Sequence, residues 1–98
     1  MTKFLILWEL DTSMLPESCE EQMALFTRLI KMVKDDLKKS MLDWGEFIGG
    51  NAGYSVAEGT EQEIALTLMK YYPYIKFKVH PTLSVNQLEE NMKALSKT

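Results

Sequence analysis

Five consecutive apolar residues, Phe4-Leu5-Ile6-Leu7-Trp8, stand near the start of the chain and are followed by Glu9 and Asp11. The run is far shorter than the ~20 residues of a membrane helix and too short for the apolar core of a signal peptide. Continuous apolar sequence of this length, bounded by charge, reads as a β-strand covered on both faces. The pattern predicts a central strand from Lys3 to Leu10 and demands a cover for each side of it.

Further along, the period changes. Ser18-Cys19-Glu20-Glu21 fits a capping box, in which the Ser18 hydroxyl accepts from a free backbone amide and Glu21 reaches back. Met23, Phe26, Leu29, Ile30, Val33, Leu37 and Met41 then recur every three or four positions. Lys31, Lys34, Asp35, Asp36, Lys38 and Lys39 fill the polar face, so the segment predicts an amphipathic helix of roughly 35 Å. Asp43 to Ile48 and Tyr54 to Ala57 carry aromatic and β-branched residues around Gly49-Gly50-Asn51-Ala52-Gly53, the signature of a β-hairpin.

Thr60-Glu61-Gln62-Glu63 repeats the capping pattern before Ile64, Ala65, Leu68, Met69 and Tyr72, a second helical stripe that Pro73 should stop. Ile75, Phe77 and Val79 alternate with Lys76, Lys78 and His80, which predicts an edge strand ended by Pro81. Its paired lysines guard an edge against further strand addition. Ser84-Val85-Asn86-Gln87 offers a third box, with Val85, Leu88, Met92 and Leu95 as the stripe of a final helix.

The order β-α-β-β-α-β-α over 98 residues fits a single domain spanning 1–98, of class α+β. Two β-α-β units around a central hairpin match the ferredoxin-like motif, which here carries an extra C-terminal helix. Its right-handed crossovers place both helices on one face of a four-stranded antiparallel sheet and leave the other face open. The apolar first strand therefore predicts a homodimer in which a second copy covers that face.

Lys3-Phe4-Leu5-Ile6-Leu7-Trp8-Glu9, Asp43-Trp44-Gly45-Glu46-Phe47, Gly53-Tyr54-Ser55-Val56-Ala57-Glu58-Gly59 and the stretch Tyr74 to Ser84 carry a resemblance over nearly the whole chain. They resemble a small prokaryotic family assigned to the dimeric α+β barrel superfamily. The resemblance implies that fold and a dimer. Its motifs are mostly structural, and the family has no established activity, so no catalytic residue is carried over. Superfamily relatives include cofactor-independent monooxygenases, muconolactone-type isomerases and haem-handling enzymes, an analogy at the level of fold.

His80 is the sole histidine, so a metal site would have at most one imidazole ligand and a hydrolytic triad would depend on that one residue. Neither is expected. His80 could serve as a lone acid or base, and Glu9 and Asp11, two apart on the first strand, would be its carboxylate partners. The plainer reading is an exposed strand-end histidine and a structural salt link. Trp8, Trp44, Tyr54 and Tyr72 are candidate lining for an apolar ligand pocket, although aromatic residues also serve core and interface packing.

Other motifs are weaker. Gly49 to Gly53 lacks the lysine of a phosphate loop and joins two strands, so a tight turn is expected. Cys19 has no partner for a disulfide or a CxxC motif, and Glu20 and Glu21 oppose its ionisation, so it reads as an inert thiol in a reducing, cytoplasmic setting. A net charge of −3 and a third strand unlike RNP1 argue against nucleic acid, and no membrane partner is expected. The sequence thus predicts a cytoplasmic homodimer binding a small apolar or aromatic molecule without metal or cofactor. The alternatives are an isomerase or monooxygenase-like enzyme using His80 with Glu9 or Asp11, and a structural or interaction subunit.

Overall fold

Burial alternates along the first strand. Phe4, Ile6 and Trp8 are buried, whereas Leu5 and Leu7 are 39% and 37% exposed. In the computed structural model, which describes residues 1–97, this segment is β1 (Thr2–Leu10). A turn of 3-10 helix at Thr12–Met14 leads to α1 (Cys19–Leu37), β2 (Met41–Glu46) and β3 (Ala52–Gly59). The chain continues through α2 (Glu61–Met69), β4 (Ile75–Pro81) and α3 (Val85–Ser96). The strands form one antiparallel sheet in the order β2-β3-β1-β4, a mixed α+β arrangement compatible with a ferredoxin-like fold.

The apolar run sits at the centre because β1 has a neighbour on each side: Ile6 pairs with Ser55 of β3 and with Val79 of the edge strand β4. On one sheet face Leu25, Leu29 and Val33 of α1 pack with Met41 and Tyr71. Beside them Ile64 of α2 packs with Phe4, Ile6 and Ala57. Among the described residues nothing covers the other face, where Leu5 and Leu7 lie, so the double-sided burial expected of β1 is only half present.

Several boundaries differ from the sequence expectation for local reasons. The first helix ends at Leu37, its Lys38 cap turns the chain, and Met41 belongs to β2, where it pairs with Ala57. The face of α1 that is buried runs Leu25, Leu29, Val33 and Asp36, so Met23, Ile30 and Leu37 are exposed and Asp36 is buried. The hairpin strands start earlier than expected. Phe47 and Ile48 fall in the turn, where Gly50 and Asn51 take φ values of 85° and 65°. The second helix stops at Met69, ahead of Pro73, because Tyr71 and Tyr72 donate to Leu68 and Met69 in a succession of turns.

Ser18 caps α1 through its hydroxyl, which accepts from the Glu21 amide at 3.1 Å. The boxes at Thr60/Glu63 and Ser84/Gln87 close in both directions. Helix α3 leaves the end of β4, where the Thr82 amide and hydroxyl both donate to the Lys3 carbonyl at 2.9 and 2.7 Å. It has no buried residue, and Val85, Leu88, Met92 and Leu95 are 73%, 52%, 62% and 73% exposed. The molecule measures 62 × 24 × 21 Å.

Candidate functional site

Strand β3 presents Gly53, Ser55 and Ala57 to the helices, a lane of small residues between the bulkier β1 and β2. The missing side chain at Gly53 decides what its neighbours do. Trp8, paired with Gly53, lies so close over it that a Cβ there would sit 2.6 Å from Trp8 Cζ2. The indole crosses β3, and its Nε1 donates to the Gly45 carbonyl of β2 at 3.2 Å. There it stacks on Trp44, with ring centroids 5.3 Å apart and planes 9° from parallel.

Beneath α1 this lane opens into a cleft of about 650 Å³. The indole pair, Leu29 and Val33 of α1, Phe77 of β4 and the ring of Tyr71 line it, while Glu46 and Asn51 from the hairpin bring polarity. Ser55, 2% exposed, adds a hydroxyl to the wall, and no hydrogen bond to that hydroxyl forms among the described residues. Small residues on the sheet leave the volume, and aromatic planes give it shape.

One side of the cleft rests on a buried ion. The Asp36 carboxylate, 2% exposed, accepts from the Tyr71 hydroxyl and from Lys70 Nζ, each at 2.6 Å. Burial, reinforced by the hydrogen bond to Asp36 and the charges of Asp36 and Asp35, pushes the Tyr71 phenol far above its ordinary value. Tyr71 is therefore a poor acid. With its proton committed to Asp36, it offers the cleft a ring and an oxygen lone pair.

The expected acid–base group does not assemble. Strand register puts His80 opposite Leu5 and Glu9 opposite Lys76, four residues apart along β1, or ~13 Å at ~3.3 Å per residue. Asp11 accepts from the Ser13 hydroxyl at 2.6 Å and lies 3.8 Å from Lys76. Chiefly the Ser13 hydroxyl, with help from Lys76, holds its carboxyl below the ordinary value.

Of the expected aromatic lining, Trp8 and Trp44 meet in the cleft. Tyr54 points to the opposite sheet face, where its hydroxyl donates to Asp43 at 2.9 Å and the bond and charge of Asp43 raise its phenol pKa. Tyr72 is 80% exposed in the turn after α2, so the tyrosine of the cleft is its neighbour Tyr71.

Sequence reasoning passed over Ser55 and Asp36. Asp36 was detectable, since it continues the Leu29 and Val33 spacing of α1 and sits on their face. Among the described residues no three His, Cys, Asp or Glu side chains converge as metal ligands, and no helix is long and apolar enough to cross a membrane. The molecule thus joins the class of α+β proteins with an apolar cleft between a helix and an antiparallel sheet. No protein-family model matches the chain, and no curated protein matches it.

Proposed function

We propose that the chain is a homodimeric α+β barrel protein whose subunits each bind a small aromatic molecule in the cleft under α1. The observation that carries this reading is the Trp8–Trp44 stack in an apolar cleft of about 650 Å³ with one hydroxyl, that of Ser55, in its wall. Small-molecule sites of this kind span ~300–1,000 Å³ and use few polar groups to orient a largely apolar ligand. An indole pair offers a flat surface and a ring edge, which suit a planar guest. The dimer reading rests on Leu5, Leu7, Tyr54 and Val56, an apolar patch on the uncovered sheet face. A lone, exposed Cys19 suits the reducing cytoplasm.

A second reading, as an interaction subunit, is favoured by the exposed stripe of α3. Proton-transfer catalysis by His80 with Glu9 or Asp11 finds no support in the register, which keeps the imidazole and the Glu9 carboxylate apart.

Titration with 1-naphthylamine, followed by quenching of indole fluorescence, tests the cleft. One molecule should bind per chain, and Trp44→Ala should weaken binding by about tenfold, the equivalent of ~1.4 kcal/mol. Unaltered indole emission at millimolar probe would refute the reading.

A further inference from the structure

The uncovered face of the sheet is sorted by charge. Across its strands Lys3 lies beside Glu58, Leu5 between Val56 and His80, and Leu7 between Tyr54 and Lys78. On the outer strand β2, Asp43 lies beside Val56 and Gly45 beside Tyr54. Acidic groups therefore occupy the β2 and β3 half through Asp43 and Glu58, and Glu9, the one acidic group on β1 of this face, lies opposite Lys76 of β4. Basic groups occupy the β4 edge through Lys78 and His80, with Lys76 turned to Asp11 at 3.8 Å. Between the two edges lies the apolar patch of Leu5, Leu7, Tyr54 and Val56.

Building on the homodimer proposed above, we infer that two copies meet through this face about a two-fold axis parallel to the strands, so that β4 of each lies over β2 of the other. Face-to-face pairing of identical sheets offers two principal axes in the interface plane, and each brings different residues together.

An axis along the strands exchanges the two edges and keeps each residue at its own height. Lys3 then lies over the partner's Glu58, Leu5 over the partner's Val56 and Leu7 over the partner's Tyr54. His80 comes over the partner's Asp43, and Lys78 over the partner's Gly45, next along β2 to that carboxylate. Every residue of the apolar patch meets an apolar one, Glu58 and Asp43 each meet a basic group, and Glu9 comes over the partner's Ala52.

An axis across the strands lays β4 on β4 and inverts the heights. Lys78 then faces the partner's His80, Asp43 faces the partner's Gly45 with no cation above it, and Lys3 facing the partner's Glu9 is the one complementary pair. Like groups opposed at the rim of a dry patch select against that arrangement, and opposed unlike groups select for the first. Aligned sheets cross at about 30°, which displaces the edges by a few ångströms, a distance that the flexible lysine stem can span. An apolar centre within a charged rim is the usual anatomy of a protein interface.

Disulfide trapping reads the axis directly. In a Cys19→Ser background, chains carrying Asp43→Cys are mixed with chains carrying His80→Cys and oxidised. A covalent heterodimer is expected from the mixture, and neither chain should link to itself. Self-linking of the His80→Cys chain, or no link in the mixture, would overturn the axis.

Asp43 also holds the Tyr54 hydroxyl, so a second pair leaves it intact. Lys3→Glu and Glu58→Lys should each weaken their own dimer by about tenfold and recover wild-type affinity when mixed with each other. An axis across the strands gives no such recovery. Light scattering of the unaltered protein separates the two proposals: a monomer at tens of micromolar removes the homodimer and this geometry together. A stable dimer that neither traps nor recovers removes the geometry alone.

Discussion

The Tyr71 hydroxyl donates to Asp36 at 2.6 Å and ties the turn after α2 to the last turns of α1, 35 positions away in sequence. Tyr71 also forms part of the cleft wall and packs edge-on to Phe77, with ring centroids 6.0 Å apart. The buried carboxylate thus positions an aromatic wall, and the same pair joins the end of α1 to the turn after α2. Lys70, 46% exposed on its side chain, completes the charge balance from the solvent side.

Breaking this pair should be among the costlier single changes in the molecule. Asp36→Ala leaves the Tyr71 hydroxyl buried without its acceptor and should cost about 3 kcal/mol, whereas Tyr71→Phe should cost about 2 kcal/mol. The Lys70 contribution is discounted because that ammonium is half in water. Urea unfolding at fixed protein concentration checks both values.

Burial of the Tyr71 phenol, reinforced by this bond, makes stability fall in alkali. The unfolded phenol ionises near 10.0, and the folded protein holds the Tyr71 proton to higher pH. Stability is complete below pH 10 and declines above it, because the unfolded chain releases a proton that the native state retains. Tyr54 shifts in the same direction. Unfolding measured at about pH 9 and about pH 11 should show a decline that is shallower in Tyr71→Phe.

Gly53→Ala should damage cleft and sheet together. The added methyl would press on the Gly45 carbonyl oxygen and on Trp8, 2.6 Å from its Cζ2. Backbone offers no relief on one side, so the indole must leave its place over β3. The expected cost is about 3 kcal/mol, together with a change in near-ultraviolet circular dichroism as the Trp8–Trp44 stack opens.

Ser55→Ala should separate binding from stability. Among the described residues the hydroxyl, which borders the cleft, makes no hydrogen bond, so its removal should alter folding by less than about 0.5 kcal/mol. Affinity for 1-naphthylamine should drop about fivefold, the equivalent of ~1 kcal/mol, while affinity for naphthalene stays the same. Calorimetric or fluorescence titration of the two ligands compares them.

Deleting residues 85–98 removes a helix with no buried residue. The β-sheet signal in far-ultraviolet circular dichroism should persist. The urea midpoint should change by the equivalent of less than about 0.5 kcal/mol, because the core clusters draw nothing from α3.

Elements governed by near neighbours were legible. Thr60 with Glu63 and Ser84 with Gln87 close their capping boxes across three positions, and the structure places helices there. The alternation from Ile75 to His80 likewise forms an edge strand. Met41 was misplaced because an apolar residue four positions after Leu37 continues a helical stripe equally well, until the turn after Lys38 gives it to β2. Of the site, Trp8 and Trp44 were legible as aromatic residues on strands. Tyr54 and Tyr72 looked equivalent to them until strand register and a turn sent them elsewhere.

Local chemistry along the chain determined the elements themselves: where helices begin, which segments pleat, and that the opening run lies at the centre of a sheet. Capping bonds and side-chain periodicity act over three or four residues, so one dimension records them. The cleft arose only in three dimensions. Its width depends on Gly53 lying under Trp8, and its wall on Asp36 meeting Tyr71. Both contacts join residues that are distant in sequence, and chain packing alone brings them within a few ångströms of each other.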